Sequence, residues 1–393
     1  MEMVIIGLGI FLALMFNFVN GLNDAANSIA AVIATRALSP IKAIALASVC
    51  CLIGPLLFTT AIAETIGESI VSSSFLSIHL IFSSMVGAVL WVYLASHFGI
   101  PVSSSHALVG GLVGAGFAVG GLGAIIFPDM QSVLVLIVSV IMGGFVTAGI
   151  MILAARMHNE DGTKYIPISF LAGIAFTVPI LIITGAIKIS GLFAVIIFIV
   201  VSPMLGMISA FLFGIIIMKV CRRKNPQMLD KRFRTLQVFT CAFQAIGHGA
   251  NDAQNAMGII TAMLLAAGMI STFQVPLWVI LTSCFAISLG TFLGGQKVID
   301  KMANKITRIR PYQGVSAAAS GSIVLSFMTA LGVPVSTTHA ISGAIMGAGL
   351  TRGYTSAVQW TNVREIVAAW FLTIPCAAVV AGLVYFVYSL ILL

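Results

Sequence analysis

The chain of 393 residues is 60% hydrophobic and only 8% charged, with a mean hydropathy of +1.14. So few polar residues cannot cover a water-facing surface, which excludes a soluble globular protein and makes the lipid bilayer the expected solvent. The net charge of +8 comes from bases near the ends of apolar runs, which argues against a nucleic-acid-binding surface. We therefore expect an all-α polytopic membrane protein.

Apolar runs follow one another along the chain with short interruptions. Since a spanning helix needs about 20 residues, these runs predict about twelve transmembrane elements. Their approximate ranges are 3–37, 41–63, 78–98, 101–127, 131–155, 167–187, 191–219, 236–268, 275–295, 313–331, 334–351 and 366–392. Four ranges are too long for one straight helix or are rich in Gly, Ser and Pro, so we expect broken or re-entrant helices there. These four are 3–37, 101–127, 236–268 and 334–351.

The distribution of Lys and Arg predicts the orientation of the chain. Segment 219–235 is the most basic connection, so we place it in the cytoplasm, where it can also bind anionic lipid. Alternating sides from there leaves only Lys188 outside, and both termini are predicted to be external. The N-terminus lacks the basic region of a cleavable signal peptide. A compact chain without targeting signals favours a prokaryotic plasma membrane.

Two pairs of motifs repeat along the chain in the same order. GLNDAANSIA at 21–30 matches GANDAQNAMG at 249–258 in five of ten positions. PVSSSHALVGGLVGAG at 101–116 matches PVSTTHAISGAIMGAG at 334–349 in nine of sixteen positions. The two offsets, 228 and 233 residues, are nearly equal. The chain therefore contains an internal duplication.

Charge indicates that the second copy is inverted in the membrane. Loop 64–77 has two Glu and no base, whereas its counterpart 297–310 has five bases and one Asp. Equivalent loops then face opposite sides, as in inverted-topology repeats. We divide the chain into a first repeat (1–127), connecting transmembrane helices (128–218), a short basic cytoplasmic loop (219–235) and a second repeat (236–393).

Asp24 and Asp252 lie well within long apolar runs. A charge at membrane depth costs at least about 2.5–3.5 kcal/mol on insertion scales, so it persists only where a cavity or partner compensates it. Asn and Asp can simply bond membrane helices together, but the duplication of Asn-Asp-Ala-x-Asn as a unit favours a binding site. Carboxylate, amide and carbonyl oxygens suit a hard cation such as Na⁺, and the carboxylates can also carry protons.

A hydroxyl triplet follows a proline and precedes a Gly-rich helix in each copy. The triplets are Ser103 to Ser105 and Ser336 to Thr338. Hydroxyls and free backbone N–H groups at a positive helix end form an anion cradle, although Ser, Thr and Gly also pack membrane helices. His106 and His339 follow the triplets. They can orient the triplets through hydrogen bonds, titrate near neutral pH, or have a purely structural role. Because every Lys and Arg lies near a span end, an anion at mid-membrane needs co-bound cations and helix dipoles for neutralisation.

With both motif pairs established, the chain resembles the inorganic phosphate transporter (Pit) family. The resemblance rests on Gly-x-Asn-Asp-Ala-x-Asn at 21–27 and 249–255 and on Pro-Val-Ser-(Ser/Thr)-(Ser/Thr)-His-Ala at 101–107 and 334–340. It implies a secondary active transporter that imports inorganic phosphate with Na⁺ or H⁺, of which we favour Na⁺. It also implies inverted repeats and a substrate site near the bilayer midplane.

The resemblance further implies roles for individual residues. The side chains expected to contact phosphate are Asn23, Asp24, Ser104, Ser105, Asn251, Asp252, Thr337 and Thr338. Those expected to bind Na⁺ are Asp24, Asn27, Asp252, Asn255, Ser103 and Ser336. A homodimer is compatible with the family, although no motif in the chain predicts one.

Three other functions share some of these features. A sulfate permease of the same family has a similar oxyanion site, but phosphate near neutral pH can donate a hydrogen bond to Asp24 or Asp252, whereas sulfate cannot. An anion channel does not need carboxylates at its site. An intramembrane aspartyl protease has its second Asp in Gly-x-Gly-Asp, which this chain lacks, so no enzyme is expected. The cysteines lack metal-ligand spacing, and no resident metal or cofactor is predicted.

Overall fold

The computed structural model describes residues 2–68, 70–157, 161–187, 191–333, 335–353 and 357–392. Lys188, the predicted external base, and Pro334, which opens the second hydroxyl motif, lie outside these ranges. The described chain forms the helices α1 (Glu2–Ala34), α2 (Pro40–Ile53), α3 (Ala61–Glu68), α4 (Ile78–His97), α5 (Ser104–Gly120), α6 (Met130–Met157), α7 (Ile166–Ile183), α8 (Gly191–Cys221), α9 (Pro226–Ala266), α10 (Leu277–Leu293), α11 (Gln296–Asn304), α12 (Pro311–Ala330), α13 (Thr337–Leu350) and α14 (Trp360–Leu392). Extended pairing in these ranges is limited to two isolated bridges, Val71 with Ile125 and Thr307 with Val358.

Helix length and apolarity confirm an all-α, multi-pass membrane protein. Among the described residues, seven helices are long and apolar enough to cross a bilayer, namely α1, α4, α5, α6, α7, α8 and α14. Helices α10 and α11 meet at 70° and add an eighth crossing if this bent pair is one span. Large apolar side chains such as Phe145 and Leu383 face outward, as expected of a lipid-facing surface. The count of twelve crossings stays a prediction.

The segments that carry the Asn-Asp motifs form continuous helices, so the breaks predicted in 3–37 and 236–268 are wrong. Helices α1 and α9 pass through the motifs without interruption. Neither contains a proline beyond its first turn, so every turn can keep its backbone donors and acceptors paired within the helix. The Asn and Asp side chains therefore project from intact helices.

The first glycine of each Asn-Asp motif serves helix packing rather than helix breaking. A Cβ on Gly21 would overlap the backbone of α10 at Ile287 and Thr291. A Cβ on Gly249 would overlap the backbone of α2 at Cys51. Small residues at such crossings let membrane helices approach closely. These glycines thus set the positions of the neighbouring Asn and Asp residues.

Helices α5 and α13 are each continuous, so the breaks lie directly before them at the hydroxyl motifs and not inside the helices predicted as broken in 101–127 and 334–351. Residues 98–103 separate α4 from α5, and residues 331–336 separate α12 from α13. The first turns of α5 and α13 are buried in the protein. The free N–H groups of two helix ends are thereby held in the interior.

Helix packing follows the duplication. Helix α1 packs against α4 and α10, and α9 packs in the same way against α12 and α2. Helix α5 packs on α14, as α13 packs on α8. Gly110 and Gly114 bring α5 against the α14 backbone, and the equivalent Gly343 and Gly347 bring α13 against α8. The inverted orientation of the two copies stays a prediction.

The basic segment 219–235, predicted as a loop, is mostly helical. Helix α8 continues to Cys221, and α9 begins at Pro226. The Asn225 side chain accepts the Gln227 N–H at 2.9 Å as an N-cap. Asn at the N-cap followed by Pro is a strong helix start, and the charged residues then extend α9 beyond its apolar part. Hydropathy alone does not register this extension.

Candidate functional site

In the first copy, an asparagine ties the buried carboxylate to the segment before the hydroxyl triplet. Asn23 Nδ2 donates to Asp24 Oδ1 at 2.8 Å and to the Val102 carbonyl at 2.9 Å. Asn23 and Asp24 are neighbours on α1, and Val102 precedes the N-terminal end of α5. The amide therefore fixes the position of the α5 end relative to the carboxylate.

The second copy repeats this arrangement with equivalent residues. Asn251 Nδ2 donates to Asp252 Oδ1 at 2.6 Å and to the Val335 carbonyl at 3.0 Å. Asn251 and Asp252 lie on α9, and Val335 precedes α13. The duplicated sequence thus produces a duplicated hydrogen-bond pattern.

A second asparagine in each motif reaches across to the other copy. Asn27 Nδ2 donates to Thr338 Oγ1 at 3.1 Å. Asn255 Nδ2 donates to Ser105 Oγ at 3.0 Å. Each helix that carries a carboxylate therefore holds the hydroxyl triplet of the opposite copy. The two copies cross at these contacts and form one connected site.

Threonine hydroxyls link the two carboxylates. Thr337 Oγ1 lies 3.3 Å from Asp24 Oδ2 and 3.1 Å from Asp252 Oδ2. Thr338 Oγ1 donates to Asp24 Oδ1 at 2.8 Å. On the other side, Ser104 Oγ lies 2.7 Å from Asn20 Oδ1 and 3.4 Å from Asp24 Oδ2. The carboxylates and hydroxyls thus lie within one hydrogen-bonded cluster.

Ser103 and Ser336, predicted as Na⁺ ligands, cap helices α5 and α13. Ser103 Oγ accepts the His106 N–H at 3.2 Å, and Ser336 Oγ accepts the His339 N–H at 3.3 Å. Each hydroxyl oxygen has a second lone pair, so capping does not prevent cation contact. The two imidazole rings pack edge to face, with centroids 4.7 Å apart. The histidines therefore lie where the two helix ends meet.

His248, which no sequence motif assigned to the site, lies beside the two carboxylates. Ligand atoms of Asp24, His248 and Asp252 all lie within 4.8 Å of one another, and all three residues are buried. His248 Nε2 is 3.3 Å from Asp252 Oδ2, although the ring nitrogen does not meet hydrogen-bond geometry. The sequence did carry a signal, because residues four apart on a helix share a face.

Three further polar residues complete the site and were missed from the sequence. Asn20, four residues before Asp24, is the counterpart of His248 and contacts Ser104 at 2.7 Å. Ser96 Oγ donates to Asn23 Oδ1 at 3.2 Å, and Thr329 Oγ1 lies 3.4 Å from Asn251 Oδ1. Ser96 on α4 and Thr329 on α12 are separated by the same 233 residues as the two hydroxyl motifs. Comparing the two copies at this offset would have identified both residues as an equivalent polar pair.

The electrostatics of the cluster are unbalanced. Asp24 and Asp252 are each only 1% exposed, and among the described residues no Lys or Arg forms an ion pair with either. Two carboxylates this close repel each other and are costly to bury without a compensating charge. The predicted side chains that surround them are at most 4% exposed. The site is therefore closed to solvent in this conformation, and the negative charge of its carboxylates is not balanced by a basic side chain among the described residues.

Several buried polar atoms at the site have no hydrogen-bond partner among the described residues. They include Asn255 Oδ1, Asn20 Nδ2 and both ring nitrogens of His106 and His339. A buried unpaired polar atom is costly and requires an explanation such as an ion or ligand. Asn255 Oδ1 is a cation ligand of the expected type. The structure therefore brings all the predicted residues together and leaves an oxygen available for an ion.

Comparison with known proteins gives a consistent result. The family model described as the phosphate transporter family matches residues 20–381. The chain is 37% identical to a probable low-affinity inorganic phosphate transporter of Rhizobium meliloti (strain 1021), over 99% of this chain and 97% of the relative. It is 31% identical to a probable low-affinity inorganic phosphate transporter of Bacillus subtilis (strain 168), over 96% of each.

A solved structure is also similar over the full length. That protein is described as the sodium-dependent phosphate transporter, and it superimposes with a TM-score of 0.70 at 26% identity, over 99% of this chain and 100% of the other. The matching family model, the bacterial relatives and the shared fold all cover nearly the whole chain. This chain therefore belongs to the phosphate transporter family.

Proposed function

We propose that the chain is a secondary active transporter that imports inorganic phosphate coupled to a cation gradient, with Na⁺ favoured over H⁺. One observation carries the proposal. Two buried carboxylates, joined by Thr337 Oγ1, lie where the two copies cross, and no Lys or Arg among the described residues balances them. A site that carries negative charge itself accepts an anion only with co-bound cations.

The cation is assigned to the oxygens around the two carboxylates. Asp24 and Asp252 supply charge, and Asn27, Asn255, Ser103 and Ser336 supply neutral oxygens. Hard cations favour such all-oxygen sets. A similar protein is described as sodium-dependent, which supports Na⁺. Protonation of the carboxylates is the alternative, and it would couple transport to H⁺ instead.

Phosphate is assigned to the hydroxyls and amides at the ends of α5 and α13. The side chains involved are Asn23, Ser104, Ser105, Asn251, Thr337 and Thr338, with Asp24 and Asp252 accepting a hydrogen bond from protonated phosphate. At an effective dielectric constant near 20, a cation about 4 Å from the anion contributes on the order of 4 kcal/mol, so each ligand strengthens binding of the other. Sulfate has no proton at neutral pH and cannot donate a hydrogen bond to either carboxylate, which favours phosphate.

Alternating access follows from the location of the site. The proposed ligands come from two copies that meet through Asn27 and Asn255, so rocking one copy against the other would open the site to either side. The closed arrangement of the side chains then corresponds to an occluded conformation. A channel would need a continuous path across the membrane, and it would not need carboxylates at its site.

Radiolabelled phosphate uptake into proteoliposomes tests the proposal. Imposed Na⁺ and H⁺ gradients are applied separately, with K⁺ as the control cation and with sulfate, arsenate and chloride as competitors. We expect accumulation against a phosphate gradient with Na⁺, inhibition by arsenate, and little inhibition by sulfate. Uptake driven only by H⁺ would replace Na⁺ as the coupling ion, and gradient-independent flux would contradict a carrier.

We also propose that the chain resides in a prokaryotic plasma membrane with both termini outside. Matches to bacterial relatives and the basic connection 219–235 support this assignment. Reporter fusions at each terminus, active only on one side of the membrane, test it. Cytoplasmic activity at either terminus would overturn the predicted number of crossings or their direction.

A further inference from the structure

A cavity of about 420 Å³, lined by basic and apolar side chains, lies at the connection between the two halves and shares no residue with the candidate site. Its basic residues are Arg222 and Lys224, in the turn from α8 to α9, and Arg310, directly before α12. Asp230 is its one acidic residue. In the part of the chain that the structure describes, no carboxylate lies within ion-pair distance of these three bases. The cavity therefore carries a net positive charge.

Apolar side chains also line the cavity. Ile217 and Met218 come from the last turns of α8, and Leu229 and Phe233, one turn apart, come from the start of α9. Immediately before these residues in α8, Leu212 and Ile216 are 49% and 55% exposed and so belong to the lipid-facing surface. Basic and apolar surfaces thus meet within one helical turn. Contact with these apolar side chains would not stabilise a small, fully hydrated anion.

We propose that this cavity binds the headgroup of an anionic phospholipid. The phosphodiester pairs with Arg222, Lys224 and Arg310, and Tyr312, which also lines the cavity, can donate a hydrogen bond from its hydroxyl. The acyl chains lie along the exposed apolar face of α8. Juxtamembrane clusters of Lys and Arg attract anionic lipids in this way.

The position of the cavity gives the lipid a structural role. Helix α8 packs against α13, and α9 carries Asp252. A headgroup at their connection would hold these two helices in register at the membrane surface. The proposal does not depend on the identity of the transported substrate or of the coupling ion.

Lipid titration by native mass spectrometry tests the affinity. The purified full chain is titrated with phosphatidylglycerol and, separately, with phosphatidylcholine. We expect preferential binding of phosphatidylglycerol, and the double variant Arg222→Gln/Arg310→Gln should bind it roughly thirtyfold more weakly, the loss expected for two bases near an anionic lipid. The control Arg223→Gln/Arg232→Gln removes the same amount of charge from the basic segment 219–235 outside the cavity and should change affinity far less.

Labelling of Cys221 locates the bound lipid. Cys221 lines the cavity and is partly exposed, and Cys376, the other cysteine that is not fully buried, is replaced by Ser. In nanodiscs, phosphatidylglycerol should slow the reaction of Cys221 with a neutral maleimide relative to phosphatidylcholine alone. The cavity variant should lose this protection and the control variant should keep it.

Several results would overturn the proposal. Equal affinity losses in the cavity and control variants would show diffuse attraction rather than a site. Equal affinity for phosphatidylcholine and phosphatidylglycerol would show that the basic side chains do not select an anionic headgroup. Protection of Cys221 by inorganic phosphate in phosphatidylcholine nanodiscs would show a site for free anions. The variant Arg222→Lys/Arg310→Lys, which keeps the charge, should retain binding and thereby separate charge loss from misfolding.

Discussion

The two copies of the motif share their geometry but differ in their chemistry. In both, an Asn joins the carboxylate to the segment before the triplet, and a second Asn holds the triplet of the other copy. One turn before each carboxylate, however, the first copy has Asn20 and the second has His248. The duplicated contacts are those that position the helix ends, so positioning is what both copies require. The surroundings of each carboxylate are free to differ.

The carboxylates differ accordingly in their hydroxyl partners. Asp24 lies within 3.4 Å of hydroxyls from Ser104, Thr337 and Thr338. Asp252 has Thr337 and the imidazole of His248. Asp24 is thus approached by both triplets and Asp252 by only one. We expect both carboxylates to be equally necessary for cation binding. We expect the hydroxyls around them to contribute unequally to phosphate affinity.

The largest expected effect comes from removing either charge. Asp24→Asn and Asp252→Asn keep the size of the side chain but lose an interaction of about 4 kcal/mol with a bound cation at an effective dielectric constant near 20. Cation affinity should fall on the order of a thousandfold, and coupled uptake should be abolished. The measurement is Na⁺-dependent phosphate uptake in proteoliposomes.

Asp129→Asn is the matched control, because Asp129 is an exposed acid before α6 and lies outside the site. It should transport as the original chain does, and all three variants should elute as folded protein in size-exclusion chromatography. If both site variants keep full uptake, the cation assignment is wrong. If only one loses it, the two acids do not share the charge-carrying role.

The next effect sharpens the difference between the triplets. Thr337→Val removes the hydroxyl that contacts both carboxylates, and a hydrogen bond to a charged group contributes about 1.5–3 kcal/mol. Phosphate affinity should fall roughly tenfold to a hundredfold. The equivalent Ser104→Ala should cost less, because Ser104 Oγ is closer to the neutral Asn20 than to Asp24.

Direct binding of labelled phosphate, measured at saturating Na⁺, distinguishes these two variants. Thr337→Ser keeps the hydroxyl and should restore most of the affinity. Equal losses in Thr337→Val and Ser104→Ala would mean that the two triplets are equivalent and that the difference in contacts has no consequence.

The glycine crossings test the shared part of the geometry. Gly21→Ala and Gly249→Ala each place a methyl group against a neighbouring backbone, and such overpacking typically costs about 1–3 kcal/mol. Both should lower the thermal unfolding midpoint by a similar amount, because both copies use the same packing. Gly149→Ala, where a Cβ meets nothing within 4 Å, should leave the midpoint unchanged.

The sequence predicted which residues meet but not how their helices are built. Duplication, apolar depth and residue type brought together Asp24, Asp252 and both triplets, because buried charge in a membrane requires a partner. The breaks expected in 3–37 and 236–268 were wrong in part because glycine serves both to break helices and to let them cross, as Gly21 and Gly249 do. Only the neighbouring backbone at Ile287 or Cys51 decides between these two uses.

Contacts between the copies were also beyond the sequence. Asn27 contacts Thr338, which is 311 residues away in the sequence, and Asn255 contacts Ser105, which is 150 residues away. No local pattern specifies such pairings. The helical part of 219–235 was missed for a different reason. Hydropathy separates apolar from polar residues, and it does not detect a helix that continues through charged residues.

The smallest expected effect concerns the position one turn before each carboxylate, which is Asn20 in the first copy and His248 in the second. His248 Nε2 lies 3.3 Å from Asp252 Oδ2 without hydrogen-bond geometry, and Nδ1 lies 3.6 Å from Cys51 Sγ. His248→Leu should therefore remove a weak polar contact of about 1 kcal/mol and raise the Na⁺ concentration for half-maximal uptake roughly fivefold. His248→Asn installs the side chain of the first copy and should have a smaller effect. If His248→Asn instead abolishes uptake while Asn20→His is silent, the imidazole is essential at Asp252, and the two halves of the site are specialised rather than interchangeable.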